Sequence, residues 1–200
     1  MRVISGEFGG RPLITPKNKC IRPTSDRGKE VIFNTLTSLL IKLNRSLNQM
    51  KIMDIFCGTG SLGIEAFSRG CKKIIFVDNS IESINLAAEN CKKLNINNAE
   101  FLHSDYRELT SANCKVDMIF ADPPYRTFNS NEILSYIIRK DLLYKNGLII
   151  FESLNKDQIK CSDALKLLKI KNVSKSSCRI ISRRAASTVA FSGLICSALW

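Results

Sequence analysis

Apolar spacing divides the chain into two parts. Ahead of Lys51 the apolar positions are sparse. Arg2 to Ile4 and Pro12 to Thr15 are short extended candidates around Gly6, Gly9 and Gly10, the composition of a hairpin. Behind Thr24, Ser25 and Asp26, which are good N-cap residues, Ile32, Leu36, Leu39, Leu40 and Leu43 then recur at helical spacing. From Lys51 onward, short apolar strands alternate with amphipathic helices. Ile52 to Phe56, Lys73 to Val77, Ala99 to His103, Val116 to Ala121 and Gly147 to Glu152 read as strands. Ser61 to Arg69, Ser80 to Leu94, Asn131 to Lys140 and Lys156 to Ile170 read as helices, with Ile81, Ile84, Ala88 and Cys91 sharing the buried face of the second. Strand-helix repetition of this kind predicts an α/β fold, a Rossmann-like, doubly wound, mostly parallel sheet with a small N-terminal hairpin and helix appended. The division expected is an appendage over 1–47, a core over 48–172 and a tail over 173–200.

Composition narrows the chemistry. The 30 Lys and Arg against 18 Asp and Glu give a formal charge of +12, which draws a protein toward polyanions, and nucleic acid is the first partner to consider. A single histidine, His103, removes Ser-His-Asp and Cys-His chemistry and most histidine-based metal sites, so no metal is expected. The eight cysteines are scattered without a C-x-x-C pair, as buried free thiols would be. The N-terminus lacks the apolar core of a signal peptide. No apolar run approaches the roughly 20 residues of a spanning helix, and a cytoplasmic protein without membrane contact is expected.

Doubly wound sheets bind ligands beyond the C-terminal ends of their strands, so the loops there carry the chemistry. The first, Asp54-Ile55-Phe56-Cys57-Gly58-Thr59-Gly60-Ser61-Leu62-Gly63, ends a strand and opens a helix. Its glycines let the backbone turn tightly under a ligand. Gly58, Gly60 and Gly63, with Asp78 at the tip of the second strand, also satisfy the dinucleotide-binding spacing, so a nicotinamide oxidoreductase is an alternative. A carboxylate at Asp54 would repel a pyrophosphate and favour a ligand with a cationic amino group and sulfonium, which is S-adenosylmethionine. Asp78 can accept two ribose hydroxyls, and Asp105, after the third strand, can meet an adenine edge. Phe56, Asn79 and Tyr106 adjoin these positions and complete the candidate cofactor set.

Asp122-Pro123-Pro124-Tyr125 follows the strand Val116 to Ala121 and is the sharpest signal in the chain. An exocyclic base amine is conjugated to its ring and must move toward tetrahedral geometry before its lone pair can attack a methyl group. The Asp122 carboxylate and the Pro123 carbonyl can receive its two N–H groups. The prolines Pro123 and Pro124 fix φ so that the acceptors are already aimed, and Tyr125 offers a face to a base out of its stack.

These residues resemble the bacterial 16S ribosomal RNA guanine-N2 methyltransferases of the RsmD type. The likeness covers roughly residues 1 to 155. It rests on Arg2-Val3-Ile4-Ser5-Gly6 with Gly10-Arg11, on Arg22-Pro23-Thr24-Ser25-Asp26-Arg27 leading to Phe33-Asn34, and on the two loops above. The loops are shared with many amino-methyltransferases, so a DNA or RNA adenine-N6 enzyme is the nearest enzymatic alternative. A non-catalytic RNA-binding protein is a third. The resemblance implies that the N-terminal segments hold RNA, with Arg2, Arg11, Arg22 and Arg27 as candidates. It implies ribosomal RNA or a small-subunit assembly intermediate as partner, and action as a monomer. After Lys171 the chain departs from the family pattern of paired strands with a Tyr-Gly turn, and 173–200 reads as an atypical tail.

Overall fold

The computed structural model describes residues 1–16, 25–124, 127–173 and 176–185. Helix α1 (Asp26–Lys42) precedes β1 (Lys51–Ile55), α2 (Ser61–Ser68), β2 (Lys73–Asp78), α3 (Ile81–Lys93) and β3 (Ala99–His103). A short α4 (Ser111–Cys114), β4 (Val116–Ala121), α5 (Ser130–Arg139), β5 (Leu143–Leu154), β6 (Leu165–Val173) and β7 (Ser176–Arg183) follow. The sheet has seven strands in the order β3-β2-β1-β4-β5-β7-β6. β1 to β5 run parallel, and β7 is inserted antiparallel to both β5 and β6. This is the Rossmann-like, mostly parallel sheet that the strand-helix alternation predicts.

Alternate side chains along each central strand feed opposite faces. Ile52 and Phe76 join one apolar cluster, which α1, α2, α3 and the N-terminal segment cover. Met53, Ile55, Ile75 and Val77 join another, covered by α5. Burial on both faces explains why these strands read as continuous apolar runs. Ser25 caps α1 by accepting from Gly28 N, and Phe33 on that helix meets Phe120 of β4 with ring centroids 5.6 Å apart.

Several expectations change. The helix expected over Lys156 to Ile170 does not form, and β6 occupies its second half. Leu165, Leu168 and Ile170 fit a helical stripe, but a bulge between Leu167 and Lys169 also lets a strand turn Leu165 and Leu168 to opposite faces. Pairing with β7, a contact invisible to local periodicity, decides between the two. The sheet therefore continues past 172, through β7, into the segment expected to be an atypical tail. Phe191 to Trp200 lie outside the described residues. The buried stripe of α3 is Ser83, Ile84, Ala87, Asn90 and Cys91, while Ile81 is 49% exposed. Cys57, Cys71, Cys91, Cys114 and Cys178 are buried free thiols, but Cys161 is exposed.

The N-terminal segment is a looser hairpin than expected, with one bridge between Arg2 and Pro12. It docks through apolar Val3, Phe8 and Leu13 and through buried polar groups of α2. Glu65, fully buried, accepts from Ile4 N at 2.7 Å, Ser5 N at 3.1 Å and Arg69 Nε at 2.7 Å. Ser68 Oγ accepts from Phe8 N and donates to the Ser5 carbonyl. Lys29, also without accessible surface, donates to the Arg2 carbonyl. Its burial pushes the ammonium pKa down, while the charges of Glu65 and Asp26 oppose that shift. Glu65→Ala strands two backbone N–H groups and leaves two buried cations without their counter-charge. We expect it to cost about 3 kcal/mol or more in a urea unfolding titration; a loss below about 1 kcal/mol would show that the network contributes little.

Candidate active site at the strand ends

The strand order reverses at β1, with β2 on one side and β4 on the other, and Ile55 is in register with Ala121. The glycine turn and the Asp122-Pro123-Pro124 corner thus emerge side by side at the crevice where open α/β sheets take ligands.

Within the turn, Phe56 has φ of 63°, a left-handed conformation that an aromatic residue adopts at a cost. That backbone aims its ring at Tyr106 (5.3 Å between centroids) and Phe128 (4.9 Å). Gly60 has φ of 76°, and a Cβ there would lie 3.1 Å from both Ala87 Cβ and the Phe76 ring, so α3 packs directly beneath the turn. Asp54 does not reach the surface. Its carboxylate is 2% exposed and accepts from Gly63 N at 2.9 Å, tying the strand end to the first turn of α2. Burial pushes its pKa well above the ordinary value of 3.8; the Gly63 N–H opposes this, and the charges of Asp122 and Asp78 add to it. Three carboxylates therefore converge on the turn, and their field favours a cation there.

Beside the turn lies a cleft lined by Phe56, Val77, Asp78, Asn79, Ser104, Asp105, Tyr106 and Phe128. Five of the eight cofactor candidates line it, and Gly58, Gly60 and Asp54 form the turn at its edge. Asp78 braces that turn, accepting from Gly58 N at 3.0 Å with one oxygen and from Ser80 N at 2.9 Å with the other. Asp105 is held by Arg107, accepting from its backbone N, Nε and Nη2 at 2.7 to 2.9 Å, and this guanidinium keeps its carboxyl below the ordinary value. Periodicity gave no sign of Phe128. It stands just ahead of Asn129, the N-cap of α5, a position where an apolar residue packs back on its own helix entry.

On the β4 side Asp122 is half-buried and Pro123 is buried, whereas Pro124 is exposed. Tyr125 lies outside the described residues, as does Arg22. Arg2 pairs with Asp26 at 3.3 Å, placing it beside exposed Arg27 at the start of α1. Arg11 is exposed over the Phe8 ring, 5.7 Å from its centroid. Among the described residues no helix is long and apolar enough to cross a membrane.

A family model described as Conserved hypothetical protein 95 matches residues 1–182. A Bacillus subtilis (strain 168) protein, YlbH, whose description places it with the rRNA methyltransferases, is 34% identical over 76% of this chain and 82% of its own. Ribosomal RNA small subunit methyltransferase D of Escherichia coli (strain K12) is 28% identical over 76% of this chain and 74% of its own. Among solved structures, a Haemophilus influenzae methylase superposes with a TM-score of 0.74 at 28% identity, covering 92% of this chain and 98% of that one. An Escherichia coli structure described as a methyltransferase has a TM-score of 0.77 at 24% identity with the same coverage, a likeness of fold.

Asp54 keeps its proton in the folded chain at pH values where the unfolded chain releases it. Stability should therefore fall as pH rises from about 3.8 through its raised value. Asp54→Asn preserves an acceptor for Gly63 N and should flatten that part of the profile. Urea titrations between pH 4 and pH 8 test it, and parallel profiles for the two proteins would place the titration elsewhere.

Proposed function

This chain belongs to the family described as Conserved hypothetical protein 95, and from that membership and the paired loops we propose that it methylates the exocyclic N2 amine of a guanine in small-subunit ribosomal RNA, using S-adenosylmethionine. The observation that carries the reading is the Ile55–Ala121 register, which sets a cationophilic glycine turn beside a corner of oxygen acceptors.

The cleft suits a nucleoside. Phe56, Tyr106 and Phe128 offer apolar walls to a flat ring, and each Asp78 oxygen, already accepting one backbone N–H, has a second lone pair for a ribose hydroxyl. Its empty space of about 220 Å³, open mouth included, is below the roughly 300 Å³ that encloses a whole small ligand, so the amino-acid portion would extend over the turn. S-adenosylmethionine supplies, when bound, an electrophilic methyl group on a cationic sulfur. The nicotinamide alternative loses ground: a carboxylate triad disfavours a pyrophosphate, and antiparallel β7 interrupts the dinucleotide-binding strand order.

The chain's own part is to position and to accept. Asp122 and the Pro123 carbonyl receive the two N–H groups of the amine and turn its lone pair toward the methyl carbon, and the prolines hold both acceptors in place beforehand. The new C–N bond forms as the C–S bond breaks, its electrons leaving on sulfur. The nitrogen is then cationic and acidic and gives its proton to Asp122 or water, so no histidine is required. Arg2, Arg11 and Arg27 are exposed cations for the RNA backbone.

With labelled S-adenosylmethionine and small subunits from cells lacking the protein, label should appear on guanine N2; label confined to adenine or protein would reject the substrate. Asp122→Ala should fold and bind cofactor while methyl transfer falls about 100-fold or more. Full retained activity would refute Asp122 as an acceptor.

A further inference from the structure

Asn90 has no accessible surface, yet it stands in the buried stripe of α3 among Ala87, Cys91 and Ile84. Its amide reaches two segments distant in the chain. Oδ1 accepts from Ile14 N at 2.7 Å, while Nδ2 donates to the Ile14 carbonyl at 3.1 Å and to the Thr59 carbonyl at 3.0 Å. The partners fix the amide's orientation, because the flipped form would set its oxygen against two carbonyls and its nitrogen against an N–H. An aspartate in the same volume could donate to neither carbonyl, and a leucine could make no hydrogen bond at all.

Both partners belong to functional segments. Thr59 lies between Gly58 (φ 53°) and Gly60 (φ 76°), so its carbonyl sits on the peptide with the least side-chain restraint in the cofactor turn. Ile14 closes the N-terminal segment that carries Arg2 and Arg11. Met1, at the segment's other end, also reaches the turn, with its sulfur 3.8 Å from Thr59 Oγ1.

We propose that Asn90 is a positioning residue that sets the cofactor turn and the RNA-contacting segment together, so that the affinities for both ligands depend on a side chain that touches neither. The proposal rests on the methyltransferase reading above. Asn90 acts on the free protein, in which the Thr59 peptide and the Ile14 strand would otherwise sample other arrangements; once both ligands are bound they hold those arrangements themselves. The signature is a rise in KM with kcat retained, which a purely structural role would not produce.

The test uses Asn90→Leu, which avoids burying a charge, and Asn90→Ser, which keeps one donor in a smaller volume. Calorimetry measures S-adenosylmethionine binding without RNA, and filter binding measures a small-subunit ribosomal RNA transcript without cofactor. Loss of these bonds should weaken both affinities roughly tenfold in Asn90→Leu and less in Asn90→Ser, with kcat at saturation within about twofold of wild type. Ser68→Ala loosens the N-terminal segment without touching Thr59 and should weaken RNA binding alone. Wild-type cofactor affinity in a folded Asn90 variant would overturn the proposal, as would a fall in kcat at unchanged affinities or an equal cofactor defect in Ser68→Ala. If wild-type protein binds the cofactor normally but labels no RNA, the substrate reading fails; if wild-type protein binds no S-adenosylmethionine, that reading and the proposal fall together.

Discussion

The parallel register that sets Ile55 beside Ala121 brings two unrelated loops to one place, and the chemistry assigned to this chain depends on it. β1 sends its chain to one side of the sheet and β4 to the other, which opens a crevice between them at the strand ends. Because the sheet is apolar on both faces, polar groups can gather only where strands stop. Asp54, Asp78 and Asp122 end three neighbouring strands, and their mutual repulsion is part of why Asp54 holds its proton so firmly. A field of that sign suits a cationic donor and suits neither a pyrophosphate nor the RNA backbone, which must be met by arginines elsewhere.

The attachment of the N-terminal segment follows a different physics. Its three buried apolar residues would hold it loosely, but Glu65, Ser68 and Asn90 read its backbone atom by atom. Side chains that bond to backbone groups fix register as well as position, and they lose heavily if the segment slips. A segment held this way can present Arg2 and Arg11 at a set distance from the strand ends.

Most of the fold was legible because parallel strands buried on both faces and helices of regular stripe leave strong local signals. The glycine turn and the Asp-Pro-Pro corner were legible because their chemistry needs particular residues in sequence. The β6–β7 pair was not. Edge strands carry polar side chains, as Lys166, Lys169 and Lys171 do, and only pairing across the sheet distinguishes Leu165 to Val173 from a helix. The role of Asp54 was half legible: its position at the turn follows from the motif, but its burial and its bond to Gly63 N depend on α2 closing over it. Phe128 and Asn90 escaped because neither belongs to a spaced motif. One is placed by a helix entry and the other by partners 76 and 31 residues away.

The measurement that bears most directly on the central claim is a crystal structure of the complex with S-adenosylhomocysteine. The account predicts adenosine between Phe56, Tyr106 and Phe128, ribose on Asp78, and sulfur turned toward Asp122 with room between them for one flat base. A nucleoside seated elsewhere, or a sulfur facing away from the Asp122 corner, would contradict it.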